Sequence, residues 1–338
     1  MTHTDLGPYR ILGTLGRGGM GQVFRGQHRE SGQLVALKTV RAPSALHLSS
    51  LRREVRALGQ VRHPGLVRIL DQGVEEGRPW YAMELLHGRT LRDVMAGGGP
   101  APADGEPTLL TGEAPPPARP RAHGPMELAR IAPLLALLRD MCAPLAALHG
   151  AGLVHRDLKP ENIFVTERGT PVLVDLGIAA RFSGASGRES FTSGDELRAI
   201  GTRPYMAPEQ LGGELVDART DLYALGVILY ECLTGQRPFS SPGPGGVLAR
   251  HSGQRPLAPS LLAPGLPPEL DGLVLRLLES TEAYRRIGIA EPDGTPHRRH
   301  EGGIVGIASV DLDRQLRTIG RLGADEEHTG LLTVGDAH

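Results

Sequence analysis

The chain has 338 residues, a formal charge of −1, 40% hydrophobic residues and only two cysteines. That length suits one enzyme of about 250 to 300 residues with a modest extra segment. The balanced charge argues against a nucleic-acid or membrane-surface binder, which needs a basic excess. Cys142 and Cys232, both in apolar helical patterns, argue against a disulfide framework or a zinc site.

No stretch reaches the roughly 18 to 20 uninterrupted apolar residues of a membrane span. The longest candidate, Leu222 to Leu233, carries Glu231 and reads as a buried core helix. The start, MTHTDLGPYR, has neither the basic head nor the apolar core of a signal peptide. A soluble, cytoplasmic protein without a membrane span is expected.

In chain order, Tyr9 to Leu15 reads as a strand, followed by GRGGMGQVFRG and a second strand around Val23 to Gln27. Gly16, Gly18 and Gly21 form GxGxxG, whose missing side chains let backbone amides lie close over a triphosphate. The same pattern occurs in dinucleotide-binding turns, but there the third glycine opens a helix. Here Gln22, Val23 and Phe24 read as strand, which favours a hairpin lid. Next, LVALKTV is a buried strand, and Lys38 within it suits the phosphates of a nucleotide. LRREVRALGQV follows with helical spacing and contains Glu54. Arg78 to Gly88 reads as a strand running into a connector. From Ala96 to Pro125 the composition turns to Pro, Gly and Ala, too poor in apolar residues to offset the entropy of ordering, and is expected to be a passive inserted loop. Met126 to Gly150 resumes a helical pattern. Pro133 and Pro144 within it predict a kink or break near Ala143.

The segment VHRDLKPENIF, Val154 to Phe164, places three chemically active residues on one short loop. Asp157 can accept the proton of an incoming hydroxyl, Lys159 can neutralise a moving phosphoryl group, and Asn162 can hold a metal ion. VLVDLG follows and supplies Asp175. The Ser, Thr and Gly-rich stretch between Gly177 and Ala207 reads as a mobile segment. Arg156 is a ready cation for a phosphate introduced there, with Ser190, Thr192 and Ser193 as acceptors. DARTDLYALGVILYECLTGQRPF reads as a central buried helix, and Asp221 near its start needs partners such as the loop amides. Pro267 to Glu279 is an amphipathic helix. Residues 288–338 carry no assignment: they read as a divergent lobe terminus, a linker toward a further domain, or a poorly ordered tail with one strand near Gly303 to Val310 and one helix near Asp311 to Gly320, and the basic cluster at His297 to His300 reads as a solvated loop.

Over residues 9 to 287, the combination of HRDLKPEN, GTRPYMAPEQ and DLYALGVILYE resembles the bacterial Hanks-type serine/threonine protein kinases. The resemblance implies an α+β, bilobal protein-kinase fold, with a small antiparallel-sheet N-lobe bearing one major helix and a larger, mainly helical C-lobe. It divides the chain into a tail (1–8), the N-lobe (9–86), the C-lobe with its insertion (87–287, insertion 96–125) and an unassigned tail (288–338). ATP and Mg2+, or Mn2+ in its place, are the implied ligands, and proteins bearing Ser or Thr the implied substrates, with a homodimer as the route to self-phosphorylation in trans. Nucleotide contacts would come from Lys38, paired with Glu54, from Met83 as gatekeeper, and from the backbone of Glu84 and Leu86. Val23 and Ala36 would wall the adenine above and Phe164 below. Asn162 and Asp175 would hold the metal, and Leu176 replaces the family's usual phenylalanine. Thr202 would hydrogen-bond Asp157 and Lys159, Glu209 would pair with Arg285, and His155 would stack with Leu58, Ile69 and Leu176. The competing readings are a silent scaffold and a small-molecule phosphotransferase. The first is disfavoured by the full set Lys38, Glu54, Asp157, Asn162 and Asp175, the second by the complete segment ending in MAPE.

Overall fold

The computed structural model describes residues 5–18, 21–40, 55–97, 128–175, 203–211, 216–239 and 255–286. Six strands, β1 (Asp5–Leu6), β2 (Tyr9–Gly18), β3 (Gly21–His28), β4 (Leu34–Val40), β5 (Ile69–Glu75) and β6 (Arg78–Glu84), form one antiparallel sheet in the order β1-β2-β3-β4-β6-β5. The period of two along a strand sorts its side chains between faces. On β4 and β6, Val35, Leu37, Trp80 and Ala82 join Leu6 and Tyr9 in an outer cluster. Ala36, Tyr81 and Met83, together with Val23 of β3, turn the other way into the main core. Lys38 is two residues from Ala36 and therefore shares its inward face, although only 4% of it is exposed.

The sheet begins earlier than residue 9. Asp5–Leu6 pairs with Tyr9 and Arg10 across a turn in which Gly7 has φ 57, so the expected tail contributes an edge strand. Residues 55–60 are helical and bury Val55, Ala57 and Leu58.

Below the sheet, β7 (Gly88–Thr90), β8 (Ile163–Thr166) and β9 (Pro171–Leu173) make a second antiparallel sheet, tied by a bridge from Leu66 to Leu173. The helices are α1 (Leu91–Met95), α2 (Leu128–Asp140), α3 (Cys142–Gly150), α4 (Pro208–Leu211), α5 (Ala218–Thr234), α6 (Pro259–Leu262) and α7 (Pro268–Arg286). Thr90 and Asp93 form a reciprocal capping box at the start of α1. Helix α5 is capped by Asp217 and closed by Gly235 at φ 71, and nearly all of it is buried, as expected of a helix apolar on every side. A side chain at Gly226 would meet Leu277, so α5 and α7 approach closely there.

The break between α2 and α3 falls at Met141, two residues before the expected Ala143. Pro144 has no N–H to donate to the carbonyl four residues earlier, at position 140, so the ladder is interrupted a turn before the proline. The Met141 amide, at the junction, is shared between the Leu137 and Leu138 carbonyls. Pro133 stays inside α2. Among the described residues, the most span-like apolar stretch is Ile131–Gly150, interrupted by Arg139 and Asp140, rather than Leu222 to Leu233. By length and composition it could cross a membrane, with mean hydropathy 1.6. Its Ile131, Leu135, Leu138, Met141, Leu145 and Leu148 pack instead in the main core. The insertion expected at 96–125 lies outside the described residues beyond Gly97, as does everything after residue 286.

Trp80 is the only tryptophan and lies against Gly73, where an added Cβ would come within 2.4 Å of the ring. Gly73→Ala should therefore cost about 1–3 kcal/mol through overpacking and change the emission of Trp80. Denaturant unfolding followed by tryptophan fluorescence tests this, and an unchanged midpoint with unchanged emission would contradict the packing described.

Candidate active site

The loop between α3 and β8 carries most of the reactive side chains. Leu153, Val154, His155 and Leu158 are buried and pin it to the core. Arg156 between them has φ 66, a left-handed conformation unusual for a residue with a side chain. The amides of His155 and Arg156 both donate to the Asp221 carboxylate, at 2.8 Å to Oδ2 and 2.9 Å to Oδ1. His149 Nε2 lies 2.8 Å from Oδ2 of the same carboxylate. Burial alone would raise the Asp221 pKa. The hydrogen bond and charge of His149, with the His155 amide, outweigh it and hold the group below the ordinary carboxylate value.

This anchoring fixes Asp157. Its Oδ2 accepts from Lys159 Nζ at 2.9 Å and from Asn162 Nδ2 at 3.0 Å, and its backbone carbonyl accepts from Asn162 Nδ2 at 2.7 Å. Its Oδ1 is buried and has no hydrogen-bond partner among the described residues. Because the Asn162 nitrogen serves Asp157, the amide oxygen is the atom with which Asn162 can ligate a cation. The Val174 amide donates to the Asn162 carbonyl at 3.0 Å, which brings the end of β9 and the following Asp175, at φ 55, to the same place. Asn162 and Asp175 thus offer hard oxygen donors, a set that fits Mg2+-like ions.

Across the cleft, Lys38 forms an ion pair with Asp175. Burial pushes the Lys38 pKa down to about 8, the Asp157 charge opposing this and the Lys159 charge adding to it. Glu54, its expected partner, lies outside the described residues. Val23, Ala36, Met83 and Phe164 are buried in one apolar cluster, as the walls of a pocket would be. In the connector, the Glu84 amide donates to the Arg68 carbonyl at 3.0 Å and the Glu84 carboxylate accepts the Arg68 amide at 2.9 Å. That side chain is committed to holding β6, so ligand recognition at Glu84 and at the half-buried Leu86 would fall to the backbone.

The glycine motif closes a hairpin: Gly16 pairs with Val23 and Gly18 with Gly21, whose φ is 152. A dinucleotide-type turn into a helix is thereby excluded. Glu209 is buried and accepts from Thr220 Oγ1 at 2.8 Å. The side chain of Arg285 lies outside the described residues, as do Leu176, Ser190, Thr192, Ser193 and Thr202. Leu58 and Ile69 pack in the main core and His155 is fully buried.

Several residues of the site were not anticipated. His149 supplies the third contact to Asp221. Gln210 donates through Nε2 to the Arg156 carbonyl at 2.8 Å. Arg92 joins three elements, reaching Glu161 Oε1 at 2.9 Å, Glu231 Oε1 at 3.0 Å and the hydroxyl of Tyr205, which itself donates to Glu231 Oε2 at 2.5 Å. The available signal was Glu231, a carboxylate within an otherwise apolar helix, for which a cation had to exist.

A family model described as the protein kinase domain matches residues 9–254. A probable serine/threonine-protein kinase of Streptomyces coelicolor is 35% identical over 286 residues, covering 82% of this chain and 38% of the relative. The serine/threonine-protein kinase PknD of Mycobacterium tuberculosis is 31% identical over 342 residues, covering 98% and 46%. The serine/threonine-protein kinase pkn2 of Myxococcus xanthus is 35% identical over 290 residues, covering 82% and 31%. The chain spans less than half the length of each of these relatives.

Burial holds the His155 pKa below its ordinary value, against the opposing pull of Asp221 and Asp157. As pH falls through about 6.5, the unfolded chain takes up a proton at this residue that the folded chain refuses, so stability declines toward acid. Urea midpoints measured between about pH 7 and about pH 5 should fall less steeply in His155→Phe than in the parent. Equal slopes would contradict a neutral, buried imidazole.

Proposed function

Because the chain belongs to the protein kinase family, whose members use ATP and a divalent metal, we propose that it transfers the γ-phosphoryl group of Mg-ATP to serine and threonine hydroxyls of proteins, its own segment 177–207 included. The observation that carries this reading is the Asp157 carboxylate. One oxygen is locked by Lys159 and Asn162, while the other is buried without a partner among the described residues. A hydroxyl entering the cleft would satisfy that orphaned oxygen and be aligned by it.

In the transfer, the substrate oxygen forms a bond to the γ-phosphorus as the bond to the β-phosphate oxygen breaks, and the hydroxyl proton passes to Asp157. Lys159, 2.9 Å from Asp157 Oδ2, places a positive charge beside the moving group. Lys38 on β4 would exchange Asp175 for the α and β phosphates, and Val23, Ala36, Met83 and Phe164 would exclude water from the adenine end. Asn162 and Asp175 would hold Mg2+, with Mn2+ an acceptable substitute, and the metal would offset charge between the β and γ phosphates. Positioning and electrostatics account for catalysis on this reading.

Lys159 in DLKPEN and Thr202 in GTRPYMAPE support serine or threonine as acceptor. Self-phosphorylation would occur in trans within a transient homodimer, with Ser190, Thr192 and Ser193 as acceptors and Arg156 as the cation that receives the phosphate. A cytoplasmic location is in keeping with the ATP requirement and with two buried cysteines that form no disulfide.

Incubation with labelled ATP and Mg2+, beside Asp157→Asn, followed by mass mapping, tests the reading. Label at Ser190, Thr192, Ser193 or a neighbouring hydroxyl is expected in the parent, with a loss of at least about 100-fold in the variant. ATP binding without transfer in the folded parent would contradict it.

A further inference from the structure

Helix α4 is a single turn, and Gln210 within it does more than continue that turn. Its backbone amide donates to the Ala207 carbonyl at 3.1 Å, while its side-chain Oε1 accepts the Ala207 amide at 3.0 Å. The side chain therefore folds back on the residue that closes the segment 177–207. Its Nε2 donates to the Arg156 carbonyl at 2.8 Å. One buried primary amide thus joins two parts of the chain far apart in sequence, with its acceptor on one and its donor on the other.

The joined carbonyl belongs to the peptide bond that enters Asp157. Arg156 is in the left-handed region, which a residue with a Cβ adopts only when its surroundings hold it there. Asp221 grips its N–H from α5 and Gln210 grips its C=O from α4. Rotation of the Arg156–Asp157 peptide would break one of these bonds and carry Asp157 with it.

We propose that Gln210 is a positioning residue for phosphoryl transfer: its side-chain amide clamps the Arg156–Asp157 peptide to Ala207, so that order at the end of the activation segment is passed to Asp157. The inference rests on the kinase reading given above. Only a side chain of this length with both a donor and an acceptor meets the two demands. Glutamate at neutral pH keeps the bond from Ala207 but sets a carboxylate oxygen against the Arg156 carbonyl, and methionine keeps the volume with neither bond.

The test compares the full chain with Gln210→Glu and Gln210→Met, using casein as phosphoacceptor, and measures kcat, KM for ATP and deuterium exchange at the amides of residues 155–157. Both variants should lose about 10- to 100-fold in kcat with KM for ATP changed by less than about threefold, and exchange at 155–157 should quicken. Gln210→Glu alone should recover relative to the parent as pH falls from about 8 to about 5.5, because a protonated carboxyl regains a donor for the Arg156 carbonyl. A general packing defect would give no such recovery. A folded Gln210→Glu with parental kcat at about pH 8, or with a deficit that does not change with pH, overturns the proposal. Gln210→Met keeps the test available should the buried carboxylate prevent folding: parental kcat in it overturns the proposal. An inactive parent would count against the kinase reading, and exchange would then decide alone. Faster exchange at 155–157 in the variants upholds the clamp, and unchanged exchange overturns it.

Discussion

A single buried carboxylate organises the reactive half of this molecule. Asp221 is fully enclosed, and an ionised group in that position is tolerable only because three donors converge on it, two backbone amides of the loop 155–156 and the imidazole of His149. The dependence runs both ways. The loop amides satisfy the carboxylate, and the carboxylate holds Arg156 in a conformation the loop would not otherwise keep. Everything that follows in sequence inherits its position from this arrangement: Asp157, the Lys159 and Asn162 contacts to it, and through the Asn162 carbonyl the strand that delivers Asp175.

The other half of the cleft is set by the pleat of the sheet. Alternation on β4 and β6 sends Val35, Leu37, Trp80 and Ala82 outward and leaves Ala36, Lys38, Tyr81 and Met83 facing the cleft. A register slip of one residue would exchange these sets and bury the wrong face. The Lys38–Asp175 pair then links the two halves directly. Arg92 works at a different level. By engaging Glu161, Glu231 and Tyr205 it ties α1, the turn after Lys159, α5 and the residues just before α4 into one charged cluster. A family that relies on electrostatics for catalysis gains from such rigid mounting, since donors held in place need no reorganisation during the reaction.

Much of this was legible in the sequence. HRDLKPEN marks the loop on which Asp157, Lys159 and Asn162 meet, the apolar run around Lys38 foretells a buried cation, and Asp221 at the head of an apolar helix asks for buried donors. The glycine hairpin could be told from a dinucleotide turn because Gln22, Val23 and Phe24 suit a strand. What stayed hidden has physical reasons. β1, β7 and β9 have two or three residues, too few to show a period, and the pairing of β5 shifts register between Ile69 and Asp71. The break at Met141 depends on a carbonyl a turn away from Pro144. The pairing of Lys38 with Asp175 joins residues 137 positions apart, a contact no local pattern encodes. Gln210 and Arg92 look like ordinary polar residues at helix positions, and only the folded chain shows what they hold.

The most direct measurement is the rate of phosphoryl transfer in Asp221→Asn with ATP affinity determined on the same sample. The substitution keeps the shape and removes the charge and half the acceptor capacity. If the carboxylate fixes the loop bearing Asp157, transfer should fall by about 100-fold or more while ATP affinity, which on the proposed reading depends on the opposite face of the cleft, changes little. A folded Asp221→Asn that transfers phosphate at the parental rate would contradict the account.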